Sequence, residues 1–105
     1  MAEASTIEAR AADEVAVSGL LEFATVTALL APLEALLPET GSLRVDLGAV
    51  RHTDSAGLAL LVHWQRLARQ RGLDLEFHQA PDQLMDMARL SGLDGILPFR
   101  GAPAA

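Results

Sequence analysis

The chain has 105 residues, half of them apolar, no cysteine and no lysine, and its 14 acidic side chains against eight arginines give a net charge of −6. That length supports one domain with one core. The acidic balance opposes nucleic acid and anionic lipid headgroups, and the lack of cysteine excludes a disulfide framework or a thiolate metal site. The longest unbroken aliphatic run is Leu58–Val62, far short of the roughly 20 apolar residues of a membrane-spanning helix, so any work near a membrane goes through a protein partner. Met1–Ser5 carries an acid where a signal peptide carries basic residues, and the expectation is a cytoplasmic protein.

In chain order, Ser5–Ala9 and Glu14–Ser18 read as two short strands of a hairpin. Ile7, Val15 and Val17 alternate with polar neighbours across the Ala11-Ala12-Asp13 connection. Gly19–Phe23 reads as a loop. Thr25 is placed to cap a helix running to about Leu37, with Val26, Leu29, Leu30, Leu33 and Leu37 as its apolar stripe and a kink at Pro32. Pro38–Gly41 ends it.

Ser42–Leu47 alternates, with Leu43, Val45 and Leu47 opposite Arg44 and Asp46. Leu73–His78 does the same, with Leu73, Leu75 and Phe77 opposite Asp74, Glu76 and His78. Strands of a doubly covered parallel sheet would be apolar on both faces, so this sheet is expected to carry helices mainly on one face. Between those strands a helix of about 25 Å runs from Ser55 to Arg71. Leu60, Leu61, Trp64, Leu67 and Ala68 form its inward stripe, and Gly72 stops it. Leu58, Val62 and His63 lie off that stripe, so its first half is apolar nearly all round and something besides its own sheet must cover it. A third helix, Pro81–Leu90, turns Leu84, Met85, Ala88 and Met87 inward and ends at Ser91-Gly92. Ile96–Phe99 reads as an edge segment, and residues 101–105 as a disordered tail beyond an ordered region of about 5–100.

Catalytic signals are weak. His52, His63 and His78 have no metal-binding spacing. Ser55 with His52 lacks a nucleophile elbow, and Gly48 and Gly57 are isolated rather than part of a phosphate-binding loop. No enzyme, metal or cofactor is expected, and use of Asp54 or His52 in catalysis ranks last among the readings. The turn Thr53-Asp54-Ser55-Ala56-Gly57 is different, because it joins a strand to an apolar helix at a sheet edge. Local physics leaves two readings of Asp54 and Ser55: an ordinary N-cap, without a reciprocal capping box because position 58 is Leu, or a site.

The element order, with Asp46-Leu47 closing a strand and Asp54-Ser55-Ala56-Gly57 opening the next helix, resembles the STAS domain family from about Ser5 to Phe99. The resemblance implies a STAS fold: an α/β domain with a small mixed sheet of four to five strands. It also implies one of two roles. In anti-sigma factor antagonists the serine matching Ser55 is phosphorylated by an anti-sigma kinase, which abolishes partner binding. In STAS subunits of Mla-type phospholipid ABC transporters the domain docks on the ATPase, with the permease in the same complex, peripheral to the inner membrane. Gly57–Trp64, Leu67–Gly72, Ala88–Leu93 and Ile96–Pro98 are more similar to the transporter branch, whose members often carry Thr or another small residue where Ser55 stands.

In either role the expected partner-binding set is Thr53, Asp54, Ser55, Ala56, Gly57, Leu58 and Val62, with small residues allowing close approach and Leu58 and Val62 adding apolar contact. Thr25 and His52 are candidates for its rim. Phe23 is another, although its residue type alone fits the core equally well.

Overall fold

The computed structural model describes residues 5–38 and 41–100. The expected disordered tail, 101–105, lies outside the described residues, as do Glu39 and Thr40 of the Pro38–Gly41 helix end. Strands β1 (Thr6–Ala11) and β2 (Glu14–Leu21) form the antiparallel hairpin. Strands β3 (Ser42–Thr53), β4 (Asp74–His78) and β5 (Phe99–Arg100) follow in parallel, in the order β1-β2-β3-β4-β5. Because the parallel strands succeed one another in one direction, right-handed crossovers place every connecting helix on the same face. These helices are α1 (Leu30–Ala35), α2 (Ser55–Gln70) and α3 (Asp82–Leu90). Burial follows: Val15, Val17, Leu43, Val45, Leu47, Leu75 and Phe77 are buried, while Arg44 is exposed and Asp46, Glu76 and His78 are half-buried on the other face.

Both central strands run further than their alternation indicates. β2 continues through Gly19 and Leu20 to Leu21, so the loop begins at Glu22 rather than Gly19. β3 is 12 residues long, twice the alternating run Ser42–Leu47. The cause is a pair of bulges. Ala16 pairs with Asp46, Ser18 with Ala49 and Leu20 with His52, so β3 gains one residue on β2 at each step. Its buried positions consequently pass from a spacing of two, at Leu43, Val45 and Leu47, to a spacing of three, at Leu47, Val50 and Thr53. Asp46 supports the first bulge, its Oδ1 accepting the Gly48 N–H at 2.8 Å. Desolvation pushes the Asp46 carboxyl up, but that N–H and the Arg10 guanidinium outweigh it and hold the group below its ordinary range.

The segment after β2 also differs. Thr25 caps no helix: its hydroxyl accepts the Glu22 N–H at 3.0 Å and donates to the Leu20 carbonyl at 2.7 Å, tying the loop to the strand it leaves. A 3-10 turn, Val26–Leu29, precedes the short α1. Pro32 therefore falls in the first turn of α1, where an N–H would have no intrahelical acceptor, and the helix restarts before the proline. α3 begins at Asp82, with Pro81 one position earlier as its N-cap. Gly72 and Gly92 end α2 and α3 in left-handed conformations, with φ of 69° and 72°. In both, the following amide bonds back to the helix, Leu73 N to Ala68 O and Leu93 N to Ala88 O at 2.8 Å.

Helix α2 packs on β3 and β4 with α1 on one side and α3 on the other. Trp64, Leu61 and Phe77 are fully buried, and the Trp64 and Phe77 ring centroids lie 6.2 Å apart at 60°. The Trp64 indole N–H is buried without a partner among the described residues. Leaving it so costs about 1–3 kcal/mol, less than the roughly 4–6 kcal/mol gained by removing some 150–250 Å² of ring from water. Leu58, expected at a partner surface, is only 6% exposed, and the neighbouring helices supply the extra cover its helix needed. Replacing Leu61 by Ala is expected to destabilise the protein by about 2–5 kcal/mol, measured by urea unfolding, since the close-packed site cannot collapse around the void.

Candidate functional site

The bulges bring Thr53 opposite Leu21 at the end of the sheet, and the turn to α2 follows at once. Asp54, extended at φ −125° and ψ −168°, is the N-cap of α2 and is bonded on every side. Its N–H donates to the Leu21 carbonyl at 3.0 Å. Oδ1 accepts the Ala56 N–H at 2.8 Å, and Oδ2 accepts the Phe23 N–H at 3.1 Å. Its carbonyl accepts the Gly57 N–H at 3.0 Å and the Thr53 hydroxyl at 3.2 Å. One residue thus joins β2, the Glu22–Thr25 loop and α2. The Phe23 N–H above all holds the Asp54 carboxyl below its ordinary range against partial desolvation, with the Ala56 and Gly57 amides and nearby His52 adding to it.

The residues singled out in the sequence divide into two groups. Thr53 and Gly57 are buried and shape the turn, while Leu58, also buried, lines the hollow beside Ser55. The Thr53 hydroxyl serves Asp54, and its N–H donates to Gln83 Oε1 at 3.3 Å, tying α3 to the site. At Gly57 a Cβ would strike Thr53 Oγ1 and come within 2.7 Å of the Leu21 carbonyl, so only a hydrogen allows α2 to start against the end of β2. Ser55 is exposed, Asp54, Ala56 and Val62 are half-buried, and the Ser55 hydroxyl has no partner among the described residues. Ser55 and Val62 share one hollow of about 450 Å³ with Leu93 and Arg66.

At the rim, Phe23 is 84% exposed, which places it outside the core, and its amide is fixed by Asp54. His52 Nδ1 lies 2.8 Å from Glu22 Oε2, a second strut between β3 and the loop. Thr25 is half-buried, with its hydroxyl bonded to the Glu22 amide and the Leu20 carbonyl. Glu22, Gln83 and the Leu21 carbonyl were not indicated by the sequence; each acts across at least 30 positions of chain, and no local pattern marks such a bond. Among the described residues no group of His, Asp or Glu is arranged to hold a metal ion, and no helix is long and apolar enough to cross a membrane.

This mixed sheet with its helices on one face, and a polar turn opening the central helix, is a STAS-like fold, shared with two solved anti-sigma factor antagonists. The one from Mycobacterium paratuberculosis superposes with a TM-score of 0.74 at 24% identity, covering 96% of this chain and 87% of that one. The antagonist SpoIIAA in its unphosphorylated form gives 0.67 at 12% identity, covering 94% and 89%. No curated protein matches the chain. The family described as "Mlab, STAS domain" matches residues 5–98, and the chain belongs to that family.

Gly57→Ala is expected to lower stability by about 1–3 kcal/mol in urea unfolding, because the added methyl meets backbone that cannot yield. Asp54→Asn keeps an oxygen to cap α2 but must present its NH2 to the Phe23 amide, so it isolates the loop clamp. A carboxyl whose folded pKa is depressed contributes stability that is complete above its unfolded value, about 3.9, and lost as pH falls through the folded one. The urea-midpoint gap between wild type and Asp54→Asn should therefore narrow between about pH 5 and pH 2; a gap unchanged over that range would contradict the clamp.

Proposed function

We propose that this protein is a non-catalytic STAS subunit that docks on the ATPase of an Mla-type phospholipid ABC transporter. It supports assembly and activity of the complex in maintaining outer-membrane lipid asymmetry. In this reading it stands in the cytoplasm, held at the inner membrane through the ATPase and permease, and lipid handling and ATP hydrolysis belong to those chains. The observation that carries the reading is the surface built on Asp54: an exposed Phe23 whose backbone is fixed before any partner arrives, beside the exposed Ser55 and half-buried Ala56. A preorganised aromatic loses little freedom on binding and is a common energetic anchor of interfaces. Family membership supports the transporter branch in particular.

Two variants test it in pull-downs of a tagged chain from native membranes. The wild-type chain should recover an ABC ATPase. Phe23→Ala should weaken that complex by more than about tenfold, and Ser55→Glu should abolish it by placing a second negative charge beside Asp54. Wild-type recovery of no ATPase would falsify the assignment.

The second reading, an anti-sigma factor antagonist switched by phosphorylation of Ser55, draws support from the two antagonist structures and from the exposed, unpartnered Ser55 hydroxyl. It requires one added phosphate in the intact mass after incubation with an anti-sigma kinase and ATP, absent from Ser55→Ala.

A further inference from the structure

Val62, Arg66 and Arg69 recur at helical spacing along α2. They form one wall of a cavity of about 410 Å³ whose other wall is Leu93, Ile96 and Leu97, from the connection between α3 and β5. Through Val62, Arg66 and Leu93 the cavity continues into the hollow that reaches Ser55. The result is a single groove of about 22 Å along α2. Ile96 is 63% exposed beside it.

Its charge departs from that of the rest of the chain. The sequence carries 14 acidic residues, yet none of the described ones lines the groove. Arg10, Arg44, Arg89 and Arg100 each face an acid of their own chain. The guanidiniums of Arg66 and Arg69, by contrast, have neither a hydrogen bond nor an ion pair among the described residues. Two adjacent unpaired guanidiniums above an apolar floor complement carboxylates one helical turn apart on an apolar face.

We propose that this groove receives an acidic amphipathic helix of a partner protein. Its apolar side chains rest on Val62, Leu93 and Ile96, and its carboxylates pair with Arg66 and Arg69. One wall is hydrogen-bonded helix and the other a hydrogen-bonded turn, with no strand among the lining residues, so a segment that satisfies its own backbone fits better than an extended one. About four helical turns would fill the length. Since the net charge of −6 repels acids at a distance, recognition rests on short-range pairing at these two arginines. The half of the groove they occupy lies about three turns along α2 from Ser55. The near end of the groove borders Ser55, but the arginines do not, so reversing their charge tests this contact without altering the Phe23 and Ser55 corner.

The test titrates the full chain with a synthetic amphipathic peptide of about 18 residues bearing glutamates one turn apart, with the same peptide in which lysine replaces glutamate, and with phosphatidylglycerol vesicles. Amide shifts and calorimetry are the readouts. The acidic peptide should bind with shifts confined to α2 and residues 91–97, and the lysine peptide should bind at least about tenfold more weakly. The double variant Arg66→Glu with Arg69→Glu should reverse that preference, a gain that also shows the variant is folded. No binding of the acidic peptide, equal binding of both peptides, shifts confined to the Phe23 and Ser55 turn, an unreversed preference, or arginine-dependent capture of vesicles in place of the peptide would each overturn the proposal.

Discussion

The carboxylate of Asp54 sets the geometry on which the rest of this surface depends. A helix beginning at a sheet edge leaves its first amides without partners, and a loop leaving the neighbouring strand has the same problem. Here one side chain answers both, with one oxygen on Ala56 and the other on Phe23. Because Asp54 rather than Ser55 is the N-cap, the usual reciprocal partner would stand not at Leu58 but at the third helical position, Gly57, which has no side chain to offer. That position is kept empty by the close approach of Leu21. The second oxygen is thus free to hold the Phe23 loop, and two segments distant in sequence become one rigid corner.

Most of the architecture was legible in the sequence because it rests on period. Alternation at Leu43, Val45 and Leu47 and at Leu75 and Phe77 gave the strands and the single covered face, and helical spacing at Leu60, Leu61, Trp64 and Ala68 gave α2. Where period fails, so did the reading. The bulges in β3 replace the period of two with steps of three, which concealed half of that strand. Thr25 has the residue type of an N-cap, yet its hydroxyl closes the turn behind it instead of the helix ahead. The candidate turn was marked by Asp54, Ser55 and Gly57, but the division of its residues between buried and exposed was not. Only packing distinguishes Leu58, covered by neighbouring helices, from Val62, four residues on and half-buried.

Charge is distributed with the same division of labour. On the open face of the sheet Arg10, Arg44, Glu14 and Asp46 neutralise one another within a few ångströms. Such exposed pairs add little to stability, but they offset one another's charge on that face. The uncompensated cations lie on the helical side, along α2, so the two faces of a thin acidic domain present different electrostatic surfaces. A partner approaching from the helical side would meet both the rigid corner at the start of α2 and the arginines further along it.

The two bulges also act as a ruler. Each adds one residue to β3 without lengthening β2, so the distance from Asp46 to Asp54 is fixed by counting residues rather than by how tightly they pack. Removing one residue between Gly48 and His52 would abolish one of those steps and draw the start of α2 back by about 3.3 Å, one residue of strand. The apolar stripe and the arginines would be displaced with it. Insertions and deletions in this stretch are therefore more disruptive than most substitutions there, even though Ala49, Arg51 and His52 are exposed.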